Sequence, residues 1–185
     1  YEIHVTASIG ITFFPEEGHD KRTLLEKTYY ALQEAKKRGK NNYQYASAGA
    51  NISTFRQYML ERDMRHSFEE QQFEIYYQPQ LEPRKGTLLG AEALIRWIHP
   101  KWGVVLPEDF IPLAEENHFI VPLTDWVIEQ VLASLQYWKL QGLVTKPIAI
   151  NLSVLRLLKQ GFIEFVDEKL KQYGIEPEMI AFEIS

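Results

Sequence analysis

Three polar side chains interrupt three separate apolar strands in the second half of this 185-residue sequence. Glu92 lies in the run GAEALIRW, Asn151 in IAINLS and Glu183 in IAFEIS. Burying a charge or an amide without a partner costs free energy, so each position needs an explanation. Any one of the three could be a satisfied polar group of the core. Together, two carboxylates and an amide oxygen are hard ligands of the kind that Mg²⁺ or Mn²⁺ prefers.

The spacing of these residues predicts that they meet at one edge of a sheet. About thirty residues separate Asn151 from Glu183, which is the length of one βαβ unit. The interval from Glu92 to Asn151 is longer because two predicted helices intervene. The carboxyl ends of parallel strands share one edge of the sheet, where α/β folds place their sites. We therefore predict a divalent-metal site at this edge.

The strand that carries Glu92 has one apolar and one polar face. Because side chains alternate along a strand, Glu92, Leu94 and Arg96 share the face opposite Ala93 and Trp97. A guanidinium beside a metal could hold a phosphate through two hydrogen bonds, which indicates phosphoryl or phosphodiester chemistry. A salt bridge from Arg96 to one of the carboxylates is the alternative. A half-exposed edge strand would explain the same pattern without any site.

Composition limits the classes of protein that the sequence can encode. Apolar residues make up 45% of the chain, which is enough for a sizeable core. A net charge of -5 and a pI near 5.6 argue against a nucleic-acid polymer as a partner. The absence of cysteine excludes disulfides and thiolate metal sites, and it fits a cytoplasmic location. The sequence has no apolar run of about 20 residues that could span a membrane.

Helices that alternate with short apolar strands predict an α/β fold with parallel βαβ units. In the first strand, we expect the odd-numbered apolar residues to form the buried face. We expect four strands after residue 72. Strands are predicted over residues 3–13, 42–45, 73–81, 88–98, 148–153 and 179–184. Helices are predicted over residues 20–38, 55–71, 107–117, 122–140 and 154–173.

The first 45 residues contain a set of recognisable motifs: TASIGI at 6–11, Phe14-Pro15, Gly18 and AKKRGKNNY at 35–43. With these motifs, residues 1–45 resemble the closing segment of a GGDEF domain, the fold of diguanylate cyclases. By this resemblance, Lys36 and Lys40 are possible contacts of the nucleotide's phosphates. Cations are also favoured at a helix C-terminus without any ligand. The chain lacks the GGDEF signature itself, so we expect no cyclase activity from it.

The second part of the sequence carries a dense set of motifs: YQPQ at 77–80, GAEALIRWIHP at 90–100, PEDFIPLAEEN at 107–117, INLS at 150–153 and FEIS at 182–185. With these motifs, residues 73–185 resemble the EAL family of cyclic di-GMP phosphodiesterases. The resemblance implies a TIM-like (β/α) barrel with one antiparallel strand, of which about half would be present. It implies hydrolysis of cyclic di-GMP to pGpG by a metal-activated water. It assigns Glu92, Asn151 and Glu183 to the metal and Gln78, Leu94 and Arg96 to the dinucleotide.

These resemblances predict three regions: a C-terminal part of a GGDEF-like domain at 1–46, a linker and connecting helix at 47–72, and the N-terminal half of an EAL-like domain at 73–185. The family's later motifs, an Asp-Asp pair, a catalytic Lys and a further Glu, would follow residue 185. The catalytic set is therefore incomplete in this chain, and we expect the chain alone to be inactive.

We expect the parent to be a GGDEF–EAL tandem signalling protein with phosphodiesterase activity. The alternative is an inactive EAL domain that acts as a cyclic di-GMP receptor or as a dimerisation scaffold. A homodimer is expected because an open sheet edge invites association. The parent is expected in the cytoplasm, with a membrane anchor allowed in a missing N-terminal region.

Overall fold

The computed structural model describes residues 5–46, 52–143 and 145–184, and only the backbone of residues 52–55. It divides the chain into two compact units, Tyr1–Asp63 and Met64–Ser185. The predicted strand residues 3 and 4 and the first five residues of the predicted linker, 47–51, lie outside the described residues. In the described part of the chain, no helix is both long enough and apolar enough to cross a membrane.

The first unit contains a two-stranded parallel sheet and a helix that packs on it. In the sheet, Ile9 pairs with Tyr43 and Ile11 with Tyr45. The prediction of a strand over 3–13 was too long for the described residues, because its partner strand provides only three residues for pairing. The elements between residues 5 and 69 are β1 (Ile9–Ile11), α1 (Lys21–Lys37), β2 (Tyr43–Tyr45) and α2 (Ile52–Glu69).

Gly10 allows β1 to approach α1 closely. A Cβ atom at Gly10 would lie 2.6 Å from the Leu32 nitrogen and closer still to the carbonyl oxygen of Thr28. The helix therefore covers the Gly10 side of the strand, whereas Ile9 on the other side is 53% exposed. The expectation that the odd-numbered side is the buried one was wrong here, because an alternating pattern does not determine which face a helix covers.

The predicted limits of α1 are confirmed by its capping contacts. Asp20 accepts hydrogen bonds from the Thr23 backbone nitrogen at 3.0 Å and from its hydroxyl at 2.7 Å. These bonds stabilise the ionised carboxylate and lower the pKa of Asp20 below its usual value. After the last turn, Gly39 has a φ of 105°, which a glycine adopts without steric cost.

The second unit contains a five-stranded sheet with helices in its connections. Along the sheet the order is β3-β4-β6-β7, and β5 pairs with β4. The β3–β4 and β4–β5 pairs are antiparallel, whereas β4–β6 and β6–β7 are parallel. The elements are β3 (Phe73–Leu81), β4 (Leu88–His99), β5 (Gly103–Val105), α3 (Pro107–Glu116), α4 (Ile120–Leu140), β6 (Ile148–Leu152), α5 (Val154–Leu157), α6 (Phe162–Tyr173) and β7 (Ile180–Ile184).

This arrangement confirms a mixed α/β fold with parallel βαβ units, and it corrects two details. The count of four strands was wrong because it missed β5, a three-residue strand that forms a tight hairpin with the end of β4. The single helix predicted over 154–173 is two helices, α5 and α6. Gly161, between them, has a φ of 84°, which is incompatible with a continuous right-handed helix.

An aromatic cluster anchors β4 on its apolar face. The Trp97 side chain is fully buried and stacks on Phe73 with ring centroids 5.2 Å apart. Phe110 of α3 meets both rings edge-on, at 5.6 Å from Phe73 and 5.8 Å from Trp97. Because Trp97 faces this cluster, the alternate residues of β4 must face the other side of the sheet.

An ion pair between a buried arginine and a half-buried aspartate joins α4 to the α5–α6 region. The Arg156 side chain is 5% exposed, and its Nε donates to the Asp125 carboxylate at 2.6 Å. The guanidinium carbon also lies 5.0 Å from the centre of the Phe162 ring and 5.3 Å from that of Phe165. Such a charge depends on its partner, because unpaired burial is costly.

We expect Gly10→Ala to destabilise the first unit by about 2 kcal/mol, because the added methyl forces β1 away from α1. Hydrogen exchange of the Ile9 amide, which bonds the Asn42 carbonyl oxygen at 3.0 Å, should become correspondingly faster. Thr6→Ala at an exposed position is the control and should leave this exchange rate unchanged. Equal protection in Gly10→Ala and the unmodified chain would contradict the close packing.

We expect Asp125→Asn to lower the free energy of unfolding of the second unit by about 3 kcal/mol, because it leaves the Arg156 charge buried without a counter-charge. All four tryptophans lie in this unit, so denaturant titration followed by tryptophan fluorescence reports on it. The matched control is Asp167→Asn, which removes the exposed pair with Lys171 and should cost about 0.5 kcal/mol or less. Equal losses in the two variants would contradict the role of the buried pair.

Candidate functional site

The sheet register places Glu92, Asn151 and Glu183 on one face of three adjacent parallel strands. Glu92 of β4 is level with Ala149 of β6, and Asn151 lies two residues further on the same face. Asn151 and Glu183 are direct partners in the β6–β7 pair. Register partners share a face and adjacent strands are about 4.8 Å apart, so the three side chains are neighbours.

Two of these side chains are in direct contact. The Nδ2 of Asn151 donates a hydrogen bond to Oε1 of Glu92 at 2.6 Å. This bond leaves the Asn151 carbonyl oxygen as an acceptor for another partner. Asn151 and Glu183 are exposed and Glu92 is half-buried, so they are not polar groups sealed inside a core. The arrangement presents oxygen atoms towards the open side of the sheet.

The antiparallel β3–β4 pair extends this polar face. Gln78 pairs with Glu92, and Leu94 and Arg96 follow at alternate positions of β4. The structure therefore brings all six predicted residues of the second unit onto one side of one sheet. We call this side, defined by Gln78, Glu92, Leu94, Arg96, Asn151 and Glu183, the open face.

Arg96 is oriented by its own strand and by a tyrosine. Its Nη1 donates to the Ile95 carbonyl oxygen at 2.8 Å, and its guanidinium carbon lies 5.9 Å from the centre of the Tyr76 ring. Within the described residues, Arg96 forms no salt bridge to a carboxylate, in contrast to the alternative raised from the sequence. Its other N–H groups remain available to bind an anion on the open face.

The chemistry of the donor set fits a hard divalent cation. Among the described residues, no group of three or more His, Cys, Asp or Glu side chains is placed to hold a metal. The open face offers two carboxylates, from Glu92 and Glu183, and its third oxygen donor is the amide of Asn151. Oxygen donors without sulfur or imidazole favour Mg²⁺ or Mn²⁺ over a structural zinc.

Two further contacts near the open face were not anticipated from the sequence. Ser153 caps α5 just after β6, and its hydroxyl donates to the Glu115 carboxylate at 2.6 Å. Tyr76 pairs with Leu94 on the open face. The alternation of FEIYYQPQ could have identified Tyr76, whereas the Glu115–Ser153 contact joins residues that no local pattern connects.

A mainly apolar cavity of 380 Å³ lies between β4, α3 and α4. Asn151 and Ser153 contribute to its wall, so it reaches the end of β6 beside the open face.

Lys36 and Lys40, the other predicted contacts, belong to the first unit. Both are exposed near the C-terminal end of α1.

Known proteins similar to this chain include two from Pseudomonas aeruginosa. The bifunctional diguanylate cyclase/cyclic di-GMP phosphodiesterase MucR is 32% identical over 185 residues, which is 100% of this chain and 27% of MucR. The cyclic di-GMP phosphodiesterase NbdA is 31% identical over 98% of this chain and 23% of its own length. The chain thus spans about a quarter of the length of these curated relatives.

Structure comparison gives a consistent result. A solved structure of the PaMucR phosphodiesterase in complex with c-di-GMP superposes with a TM-score of 0.64 and 33% sequence identity. The match covers 67% of this chain and 50% of that chain. The family model of the EAL domain matches residues 61–185, which is more than half of the sequence. The chain therefore belongs to the EAL domain family.

Proposed function

We propose that this chain is part of a phosphodiesterase that hydrolyses cyclic di-GMP to pGpG with the help of a divalent metal. The observation that carries the proposal is the contact between Asn151 and Glu92 beside Glu183 on the open face. The relatives named as cyclic di-GMP phosphodiesterases support the same substrate and reaction. These relatives are about four times longer than this chain, so the activity is proposed for the whole parent protein.

In this proposal Glu92, Asn151 and Glu183 hold Mg²⁺ or Mn²⁺. A bound divalent ion would lower the pKa of water and offset negative charge on the scissile phosphate. Gln78 and Leu94 would contact the dinucleotide, and Arg96 would bind a phosphate through its remaining N–H groups. The guanidinium suits this role because two N–H groups in its plane can donate hydrogen bonds to two phosphate oxygens.

We also propose that the second unit is about half of a TIM-like barrel. In a closed barrel every strand has two neighbours. Within the described residues β7 pairs only with β6, and Ile184 near its end is 61% exposed. Further strands beyond β7 would complete the sheet and would supply the missing Asp-Asp pair, the Lys and the Glu of the catalytic set.

The region 1–46 is proposed to be the C-terminal part of a GGDEF-like domain, followed by a linker and connecting helix at 47–72. The face of the two-stranded sheet opposite α1 is apolar and exposed: Ile9 is 53%, Tyr43 56% and Tyr45 53% exposed. Such a face is normally covered by protein. In this proposal Lys36 and Lys40 contact nucleotide phosphates. An upstream sequence without a GGDEF signature would contradict the assignment.

A receptor that binds cyclic di-GMP without hydrolysing it is the alternative, and a dimerisation scaffold is the third option. The two carboxylates of the open face favour the enzyme, because a receptor needs no metal ligands. The homodimer and the cytoplasmic location remain predictions. Light scattering on the parent protein would test the homodimer.

In the parent protein we expect Glu92→Gln and Glu183→Gln each to lower kcat for cyclic di-GMP by about a hundredfold or more, since a metal supplies several kcal/mol of transition-state stabilisation. Removing the metal with EDTA should abolish turnover, and Mg²⁺ or Mn²⁺ should restore it. Glu164→Gln, at an exposed position on α6, is the charge-matched control and should keep wild-type rates. Tight binding of cyclic di-GMP by the wild type with no turnover in either metal would select the receptor.

The 185-residue chain by itself should show no turnover of cyclic di-GMP in Mg²⁺, because the remaining catalytic groups are proposed to lie beyond it. The assay is product analysis for pGpG, with the parent protein at equal concentration as the positive control. Hydrolysis by the isolated chain at a rate comparable to the parent would contradict the proposal that its catalytic set is incomplete.

A further inference from the structure

We propose that Tyr76 is an additional substrate contact, whose ring provides a stacking surface for one purine base of the bound cyclic dinucleotide. This inference rests on the proposed function, because it concerns the same open face. It adds a base-recognition element to the metal ligands and to the phosphate-binding arginine.

Tyr76 lies among the residues proposed to bind the dinucleotide. It is the register partner of Leu94, and it lies two positions before Gln78 on β3, so all three share the open face. Tyr76 lies on the same side of the sheet as Glu92 and Arg96, and 48% of its surface is exposed. A large aromatic side chain therefore presents a surface to solvent in the middle of a polar site.

The adjacent residue, Tyr77, has a structural role in the same strand. Tyr77 points to the opposite face, where its ring lies 5.0 Å from that of Trp138. Partial burial raises the pKa of Tyr77 above the usual value, as expected for a phenol packed against another ring. Strand propensity and packing against Trp138 account for Tyr77, whereas the ring of Tyr76 lies on the open face beside the Arg96 guanidinium.

The pairing of Tyr76 with Arg96 matches the chemistry of a nucleotide. The guanidinium carbon lies 5.9 Å from the centre of the ring, so an apolar plane and a cation are adjacent. A nucleotide likewise carries a flat base a short distance from a charged phosphate. Aromatic rings bind bases by stacking, and arginine binds phosphate. A purine offers the larger stacking area, so the pair favours purine over pyrimidine dinucleotides.

A simpler role for Tyr76 would be a cross-strand contact with Leu94 that only stabilises the sheet. The two roles differ in what they predict. Loss of a stacking surface weakens substrate binding and leaves the chemical step intact. Loss of a cross-strand contact lowers stability and leaves the affinity of the folded protein unchanged.

The test compares Tyr76→Leu, Tyr76→Gln and Tyr76→Phe in the parent protein by steady-state hydrolysis of cyclic di-GMP. Both variants without a ring should raise KM roughly ten- to hundredfold, the effect typical of losing one base-stacking residue, with kcat within about twofold of wild type. Tyr76→Phe keeps the ring and should keep KM. Tyr77→Phe is the matched control on the opposite face and should also keep KM.

The outcomes separate this inference from the proposed function. A wild type that neither binds nor hydrolyses cyclic di-GMP contradicts the proposed function itself. An active wild type whose KM is unchanged by Tyr76→Leu and Tyr76→Gln overturns the stacking role alone, and a lower melting temperature in those variants would then assign Tyr76 to the sheet. A KM raised equally by Tyr76→Phe would also overturn it, because the hydroxyl would be the contact. If the wild type binds without turnover, Kd replaces KM in each comparison.

Discussion

The alternation of side chains along β4 is the constraint on which the open face depends. Trp97 is fully buried against Phe73 and Phe110, and this packing fixes the rotation of the strand. Glu92 and Arg96 must then point away from the core. A one-residue slip would bury both charges and expose the tryptophan, so the cost of burying charge enforces the same register as the aromatic cluster.

The neighbouring parallel strands complete the site by the same rule. Ile148, Ile150 and Leu152 of β6 are buried on one side, which leaves Asn151 on the other, beside Glu92. The register of β6 with β7 then brings Glu183 level with Asn151. Residues distant in sequence thus become neighbours through backbone pairing, and the core residues of each strand hold the polar side chains in position.

The open face combines groups that suit a metal ion with groups that suit the phosphate and the base of a nucleotide. Its carboxylates and amide oxygen match a hard cation, and Arg96 matches a phosphate. The Tyr76 ring beside Arg96 matches a base. Membership of the EAL domain family agrees with this chemistry. The Arg156–Asp125 pair links the helices that follow and precede β6.

Local features of the sequence were sufficient to predict much of this fold. The strand at 73–81, the Asp20 cap and the polar residues at 92, 151 and 183 were all identified there, because alternation and capping involve near neighbours in the chain. Only the tertiary structure showed that α1 covers the Gly10 side of β1, that Gly161 separates two helices and that Ser153 bonds Glu115. Those features depend on contacts between distant residues or on the path the chain takes between elements, and a local pattern encodes neither.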